Sequence, residues 1–179
     1  MKKIAHNREN WVTTEQQYLL EAADRIMIQD MLGRYAFACD YELGNPAAWS
    51  ALFTEDGRFE VPAMGVVAAG HEELERLIDG THKTAPGIHH VMTNFVIDID
   101  GDTARGKCEL NEFLLRPEAI HSNLQGWYED EYVKRQNQWY IAVRRVHLTE
   151  DAGAVATSGK IGEHFGDFLA MLGNFKKEG

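Results

Sequence analysis

The chain has 179 residues, 44% of them hydrophobic and 26% charged, which is typical of one soluble globular domain with a sizeable core. Its formal net charge of -10 disfavours nucleic acid and membrane as partners, because both attract basic patches. The two cysteines, Cys39 and Cys108, lack paired spacing, so neither a disulfide framework nor a thiolate metal site is expected. No apolar run approaches the ~20 residues of a membrane span and no signal-peptide pattern is present, so we expect a cytoplasmic protein.

A long helix is predicted near the start of the chain. Thr14 and Gln17 have the spacing of a capping box, and a helical apolar pattern continues from there to about Asp40, with Gly44 as a stop. The stripe expected to face the core consists of Leu19, Ala22, Ala23, Ile26, Met27, Met31 and Tyr35.

Shorter elements are expected next. Pro46 predicts the start of a short second helix, and residues 70–82 have the pattern of a third. Two short strands, 58–61 and 66–68, are expected between these helices, the first of them after a turn at 55–57.

The second half of the chain changes to long strands separated by turn residues. The predicted strands cover residues 91–99, 104–115, 120–134 and, after a turn at 136–138, 139–148. Helices followed by an antiparallel meander indicate an α+β fold rather than alternating βαβ units. A curved sheet of this kind can wrap around the long helix and leave a pocket between them.

The tail after residue 150 is rich in Gly and Ala and then becomes amphipathic. We therefore divide the chain into an N-terminal extension (1–14), one domain (15–150) and a C-terminal tail (151–179). The tail helix either packs on the body of the domain or forms a lid or a subunit contact. Its apolar face consists of Ile161, Phe165, Phe168, Leu169 and Leu172.

Four side chains could carry chemistry. Asp40 is expected in the last turn of the long helix, where a carboxylate is unfavourable by about 0.3–1 kcal/mol. Tyr35 lies on the apolar stripe and His90 begins a strand, and each has the alternative of a satisfied core residue. Arg144 and Arg145 are neighbours on a strand, so one of them must point inward and needs a partner there.

The eight histidines do not indicate a metal site. His89 and His90 are adjacent, so on a strand they face opposite sides of the sheet. The sequence has no His-Glu-x-x-His motif and no carboxylate triad with ligand spacing. We expect no protein-bound metal.

Several landmarks together resemble a known family. Over residues 15–150 the chain is similar to a SnoaL-like domain of the NTF2-like superfamily, the group that contains scytalone dehydratase. The resemblance implies a cone-shaped fold in which a curved mixed sheet wraps around the long N-terminal helix. The matching landmarks are Ile28-Gln-Asp30, Tyr35-x4-Asp40, Phe53-Thr-Glu-Asp-Gly57, His90-x3-Asn94, Tyr128-x-Asp-Glu-Tyr132 and Trp139-x4-Arg144.

The resemblance also implies a catalytic set. Positions used by hexachlorocyclohexane dehydrochlorinase and bile acid 7α-dehydratase fall on Tyr35, Asp40, His90 and Arg144, and a further acid of the dehydratase falls near Glu112. In such a site the aspartate would orient the histidine, which would remove a proton from carbon. The tyrosine and the arginine would stabilise the charge that develops on oxygen. The resemblance implies no cofactor.

The implied substrate is a ring-bearing, mostly hydrophobic small molecule, with polycyclic compounds included. Residues expected to contact it are Trp49, Phe53, Met64, Met92, Glu112, Phe113, Trp127 and Tyr128.

Three functions remain open at this point. The first is a lyase of the dehydratase type. The second is an isomerase or polyketide-cyclase-like enzyme that uses the same residues. The third is a non-catalytic ligand carrier or the small subunit of an oxygenase, because the fold hosts all of these.

The strands also predict self-association. Val91 and Phe95 lie on one alternating set, and Met92 and Val96 lie on the other, so both faces of the sheet carry apolar residues. One face would cover the helices and the other would meet another subunit. We expect a homo-oligomer, with a trimer favoured over a dimer.

Overall fold

A single six-stranded mixed sheet forms the body of the protein in a computed structural model that describes residues 8–149 and 161–177. The strand order is β2-β1-β6-β5-β4-β3, in which β1 and β6 are parallel and every other pair is antiparallel. In chain order the elements are α1 (Arg8–Asp40), α2 (Pro46–Ser50), β1 (Phe53–Val61), a 3₁₀ turn (Pro62–Met64), β2 (Val66–Ala69), α3 (Gly70–Thr84), β3 (Ile88–Asp100), β4 (Thr103–Leu115), β5 (Ile120–Arg135), β6 (Gln138–Leu148), α4 (Ile161–Leu172) and a second 3₁₀ turn (Gly173–Phe175).

The predicted α+β architecture is confirmed, because the long helix packs on a curved sheet built mainly from a meander. The four predicted strands of the meander are present, and the turn at Gln136–Asn137 joins the last two. Both turn residues have positive φ (50° and 64°), the conformation that lets a tight hairpin follow the twist of the sheet.

The two largest differences from the predicted boundaries are at the starts of α1 and β1. Helix α1 already includes Arg8, so it runs through the predicted cap at Thr14 and takes in part of the proposed N-terminal extension. Strand β1 begins at Phe53, because the segment predicted as a turn is an irregularity in its pairing with β6. Gly57 permits this irregularity, since a Cβ there would lie 2.8 Å from the Phe53 Cβ.

The buried face of α1 agrees with the predicted stripe at Met31 and Tyr35, which are both buried. The earlier part of the stripe was wrong, since Leu19 and Ile26 are 66% and 67% exposed. The residues that the helix buries are Asp24, Ile28, Met31, Leu32, Tyr35, Ala38 and Cys39. A polar contact fixes this rotation, because Asp24 Oδ1 accepts hydrogen bonds from Lys134 Nζ (2.7 Å) and Trp139 Nε1 (2.8 Å).

The predicted tail helix is present as α4, although residues 150–160 and the side chains of Ile161 and Phe165 lie outside the described part of the chain. It packs on α3, where the Met171 side chain lies so close to Gly80 that a Cβ there would be 2.8 Å from it. Lys177 Nζ donates to Glu73 Oε1 at 2.7 Å, and the Arg76 guanidinium lies 5.3 Å from the centre of the Phe175 ring.

None of the described helices is long and apolar enough to cross a membrane.

Candidate functional site

Asp40 and His90 form a buried hydrogen-bonded pair where α1 ends against β3. The His90 backbone N–H donates to Asp40 Oδ2 at 2.8 Å, and His90 Nδ1 lies 2.6 Å from Asp40 Oδ1. One carboxylate therefore holds both the backbone and the ring of the histidine. The proton on the ring is directed to Nδ1, which leaves Nε2 facing away from Asp40.

The second ring nitrogen meets an acid and a thiol. His90 and Glu112 are register partners on β3 and β4, and Nε2 lies 3.4 Å from Glu112 Oε2. The Cys39 Sγ is 3.9 Å from the same nitrogen. The side-chain amide of Asn123 donates to Glu112 Oε1 and orients this carboxylate.

These neighbours determine the pKa of His90. Burial lowers the pKa, but the electron-rich Cys39 sulfur and the hydrogen bonds with Asp40 and Glu112 outweigh burial and hold the pKa well above its ordinary value of 6.5. Near neutral pH the ring therefore tends to carry a second proton on Nε2, and the neutral form becomes more populated as the pH rises.

A fully buried cation lies beside the pair. Arg144 donates from Nε to Asp130 Oδ1 (2.8 Å) and from Nη2 to Asp130 Oδ2 (2.7 Å). Its guanidinium carbon lies 4.1 Å from the centre of the Tyr35 ring and 3.9 Å from that of Tyr128, so it is held between two aromatic rings. Tyr132 adds a hydrogen bond to Asp130 Oδ2 at 2.6 Å.

Both tyrosines beside this cation remain neutral phenols near pH 7. Burial raises the pKa of Tyr35 to about 12, although Arg144 opposes the rise. Burial also holds the pKa of Tyr128 well above its usual value. The Tyr128 side chain hydrogen-bonds to the Tyr35 oxygen, which leaves the Tyr35 O–H to donate to a ligand.

An apolar cavity of about 350 Å³ opens against these groups. Its wall combines residues from all four helices, the first 3₁₀ turn and the strands, so the tail helix takes part in it. The lining residues are Tyr35, Cys39, Trp49, Phe59, Val61, Ala63, Met64, Leu77, Ile78, His90, Leu110, Glu112, Leu124, Tyr128, Val146, Leu148, Phe168, Leu169 and Leu172.

The predicted catalytic residues are brought together, but not all of them reach the cavity. Tyr35 and His90 line it directly, whereas Asp40 lies behind His90. Arg144 is 0% exposed and does not line the cavity, because Asp130 and the two tyrosine rings enclose it. The predicted direct contact of Arg144 with a ligand is therefore not supported by this geometry.

The predicted substrate contacts divide into two groups. Trp49, Met64, Glu112 and Tyr128 line the cavity, whereas Phe53, Met92, Phe113 and Trp127 do not.

The four side chains outside the cavity make contacts elsewhere in the structure. Phe113 and Trp127 alternate with inward Glu112 and Tyr128, so they point to the outer face, where Trp127 stacks on His147 at 5.0 Å. Phe53 packs behind Trp49 at a ring distance of 4.9 Å. Met92 contacts Arg144, whose Nη1 lies 3.9 Å from the Met92 sulfur.

Two functional neighbours were not anticipated. Asp130 is the partner that an inward Arg144 requires, and the two residues are directly opposed on β5 and β6. The Tyr128-x-Asp130 spacing was a usable signal, since residues two apart on a strand share a face. Cys39 directly precedes Asp40, but on a helix no sequence rule places it beside a histidine fifty residues later.

Within the described residues, donor atoms of Cys39, Asp40 and His90 lie within 4.8 Å of one another and could be considered as metal ligands. The Asp40 and His90 atoms are 2.6 Å apart, however, which is a hydrogen-bond distance. Two ligands of one zinc ion at about 2.0–2.2 Å each would be separated by more than this. The expectation of no metal stays a prediction.

Comparisons with known proteins agree with the fold and the landmarks. The family model described as a SnoaL-like domain matches residues 20–145. The chain therefore belongs to the SnoaL-like family. The uncharacterized protein Rv2910c of Mycobacterium tuberculosis is 28% identical over 131 residues, which cover 70% of this chain and 85% of the relative.

Solved structures extend the likeness to the whole fold. Rv3472 of Mycobacterium tuberculosis, a protein of unknown function, has a TM-score of 0.77 at 24% identity and covers 99% of this chain and 98% of its own. An NTF2-like protein of Novosphingobium aromaticivorans with a cystatin-like fold has a TM-score of 0.70 at 26% identity, over 79% and 92%. A protein from the same species, provisionally named scytalone dehydratase, has a TM-score of 0.62 at 23% identity, over 72% and 86%.

The buried ion pair makes a prediction about stability. Replacing Asp130 with Asn should lower the free energy of unfolding by about 3–5 kcal/mol, because it leaves the Arg144 charge buried without its counter-ion. The neighbouring Glu131→Gln substitution is the matched control. Its partner Arg145 is partly exposed, so we expect a change within about 1 kcal/mol. Urea unfolding of both variants measures the difference, and equal losses would contradict the assignment.

Proposed function

We propose that this protein is a cofactor-independent lyase that eliminates water or a similar leaving group from a hydrophobic small molecule. The observation that carries the proposal is the 2.6 Å contact of Asp40 with His90 Nδ1, which presents Nε2 to an apolar cavity of about 350 Å³. A histidine oriented by a carboxylate at the wall of an apolar cavity is suited to proton transfer at carbon.

In the proposed reaction, neutral His90 removes a proton from a carbon next to a carbonyl group. Asp40 keeps the Nδ1 proton in place and stabilises the imidazolium that forms. Tyr35 donates a hydrogen bond to the oxygen on which negative charge develops. The leaving hydroxyl departs as water with the proton that His90 has taken, so that a carbon–carbon double bond remains.

The role proposed for Arg144 differs from the one that the family resemblance implies. Its hydrogen-bonding edge is occupied by Asp130, so it acts by holding the rings of Tyr35 and Tyr128. We regard Arg144 as a positioning residue that keeps both phenols at the cavity wall.

The cavity also supports a substrate class. Its wall is mostly aliphatic and aromatic, which suits a ring-bearing skeleton, polycyclic ones included. The neighbour provisionally named scytalone dehydratase is consistent with this class of chemistry.

One observation favours a second candidate, an isomerase or cyclase. Glu112 Oε2 lies 3.4 Å from His90 Nε2, so two proton-exchanging groups face the same region of the cavity. A proton removed by one group could be returned by the other at a different carbon, with every substrate atom retained. A product of unchanged mass identifies this reaction, and a product lighter by one water identifies elimination.

A non-catalytic carrier or oxygenase subunit is the third candidate. Such a module has no need for Asp40 and His90 to touch, and their contact at 2.6 Å favours an enzyme. Purification with a larger iron-containing partner would support the module instead.

Turnover tests the proposed roles. On a ring-bearing β-hydroxy ketone that the protein converts, His90→Gln, Asp40→Asn and Tyr35→Phe should each reduce kcat by about 10² or more. Phe113→Leu and Trp127→Phe are the controls, because both side chains lie outside the cavity and should leave kcat within about twofold. Product mass is read in the same assay. Wild-type turnover by His90→Gln would contradict the assignment of His90 as the base.

Titration of His90 tests the electrostatics without any substrate. Its imidazole signal, identified by its absence in His90→Gln, should titrate with a midpoint above 6.5. Asp40→Asn removes one cause of the rise and should lower the midpoint. Because a base must be neutral to act, kcat/KM should increase as the pH rises through the same midpoint. A midpoint that Asp40→Asn leaves unchanged would contradict the arrangement.

We also propose a cytoplasmic homo-oligomer, with a trimer favoured over a dimer. The outer face of the sheet exposes Val91, Val96 and Trp127, and α1 exposes Leu19 and Leu20. Light scattering at micromolar concentration should therefore give a multiple of the 20.3 kDa chain mass. A mass near that of one chain would contradict self-association.

A further inference from the structure

Cys39, His90 and Asp40 form a continuous relay at the cavity wall. The thiol sulfur lies 3.9 Å from His90 Nε2, and Nδ1 on the other side of the ring lies 2.6 Å from Asp40 Oδ1. Cys39 and His90 both line the cavity. A thiol, an imidazole and a carboxylate in this order are the components of an activated cysteine nucleophile.

The groups around the relay indicate what the thiol would meet. Tyr35 and Tyr128 are neutral phenols at the same cavity wall. The Tyr35 O–H suits a ligand oxygen that becomes negatively charged, and the remaining wall is apolar. An electrophile with a carbonyl group on an apolar skeleton fits both features.

We propose that Cys39 is a nucleophile that adds to α,β-unsaturated ketones bound in the cavity. The inference goes beyond the proposed lyase activity. It uses the same histidine and aspartate, but it does not require elimination to be the native reaction.

The addition balances without any further reagent. In molecules whose His90 is neutral, the thiol proton moves to Nε2, and the thiolate sulfur forms a bond to the β-carbon of the ketone. The π electrons of the carbon–carbon double bond shift toward the carbonyl oxygen, and the resulting enolate accepts a hydrogen bond from Tyr35. His90 then returns the proton to the α-carbon. The net change is the addition of S–H across the double bond.

The second cysteine provides an internal control. Cys108 lies on β4, is buried and does not line this cavity. Burial raises the pKa of its thiol to about 11, which keeps it protonated near neutral pH. Among the described residues no imidazole is recorded in hydrogen-bond contact with its sulfur, whereas Cys39 has His90.

The experiment treats the full chain with benzylideneacetone, an aryl enone, and follows intact mass over time. We expect one adduct of the enone mass. It should be absent in Cys39→Ser, form at the wild-type rate in Cys108→Ser, and form at least about tenfold more slowly in His90→Gln. Benzylacetone, the saturated analogue, should slow labelling by occupying the cavity. Circular dichroism checks that each variant is folded.

Several results would overturn the inference: no adduct, an adduct that persists in Cys39→Ser, or the same labelling rate in wild type and His90→Gln. These outcomes are separable from the proposed function. Turnover that depends on His90 without any labelling would contradict only the proposed role of Cys39. Labelling of Cys39 in a protein that catalyses no elimination would contradict only the proposed lyase activity.

Discussion

The charge of Arg144 is the feature on which the arrangement of the site depends. A guanidinium with no exposure to solvent is tolerated only when its charge and its donors are matched, and Asp130 matches them with two hydrogen bonds. The aromatic faces of Tyr35 and Tyr128 cover the rest of the group. Helix α1 and strands β5 and β6 are thereby joined at one point, and the phenols become part of the cavity wall.

A second electrostatic constraint lies at the end of α1. A carboxylate in the last turn of a helix faces the negative end of the backbone dipole, so Asp40 needs donors from elsewhere. The backbone N–H and the ring of His90 provide them. These hydrogen bonds offset the unfavourable energy of Asp40 at the helix end. The same bonds orient the His90 ring.

The sequence predicted the elements that depend on local patterns. The meander, α3 and the tail helix follow from periodicity and turn residues, and the family landmarks located Tyr35, Asp40 and His90. The predicted rotation of α1 was wrong in its first half because a polar residue, Asp24, orients the helix. Asp24 accepts hydrogen bonds from Lys134 and Trp139, which lie on strands far away in the sequence. Phe113 and Trp127 lie outside the cavity because each is next to an inward residue, Glu112 or Tyr128, and neighbours on a strand face opposite sides. Opposed pairs such as Asp130–Arg144 require the register of two strands, which no single segment contains.

The tail helix α4 forms part of the cavity wall. Phe168, Leu169 and Leu172 contribute apolar surface there, while α3 and the Lys177–Glu73 contact hold the segment in place. Any molecule that fills the cavity also contacts the tail helix, so ligand binding and docking of this helix are coupled. The free energy by which a ligand favours the docked helix equals that by which the docked helix favours ligand binding. Substitutions in α4 can therefore change the ligand specificity of the cavity without altering the proton-transfer groups.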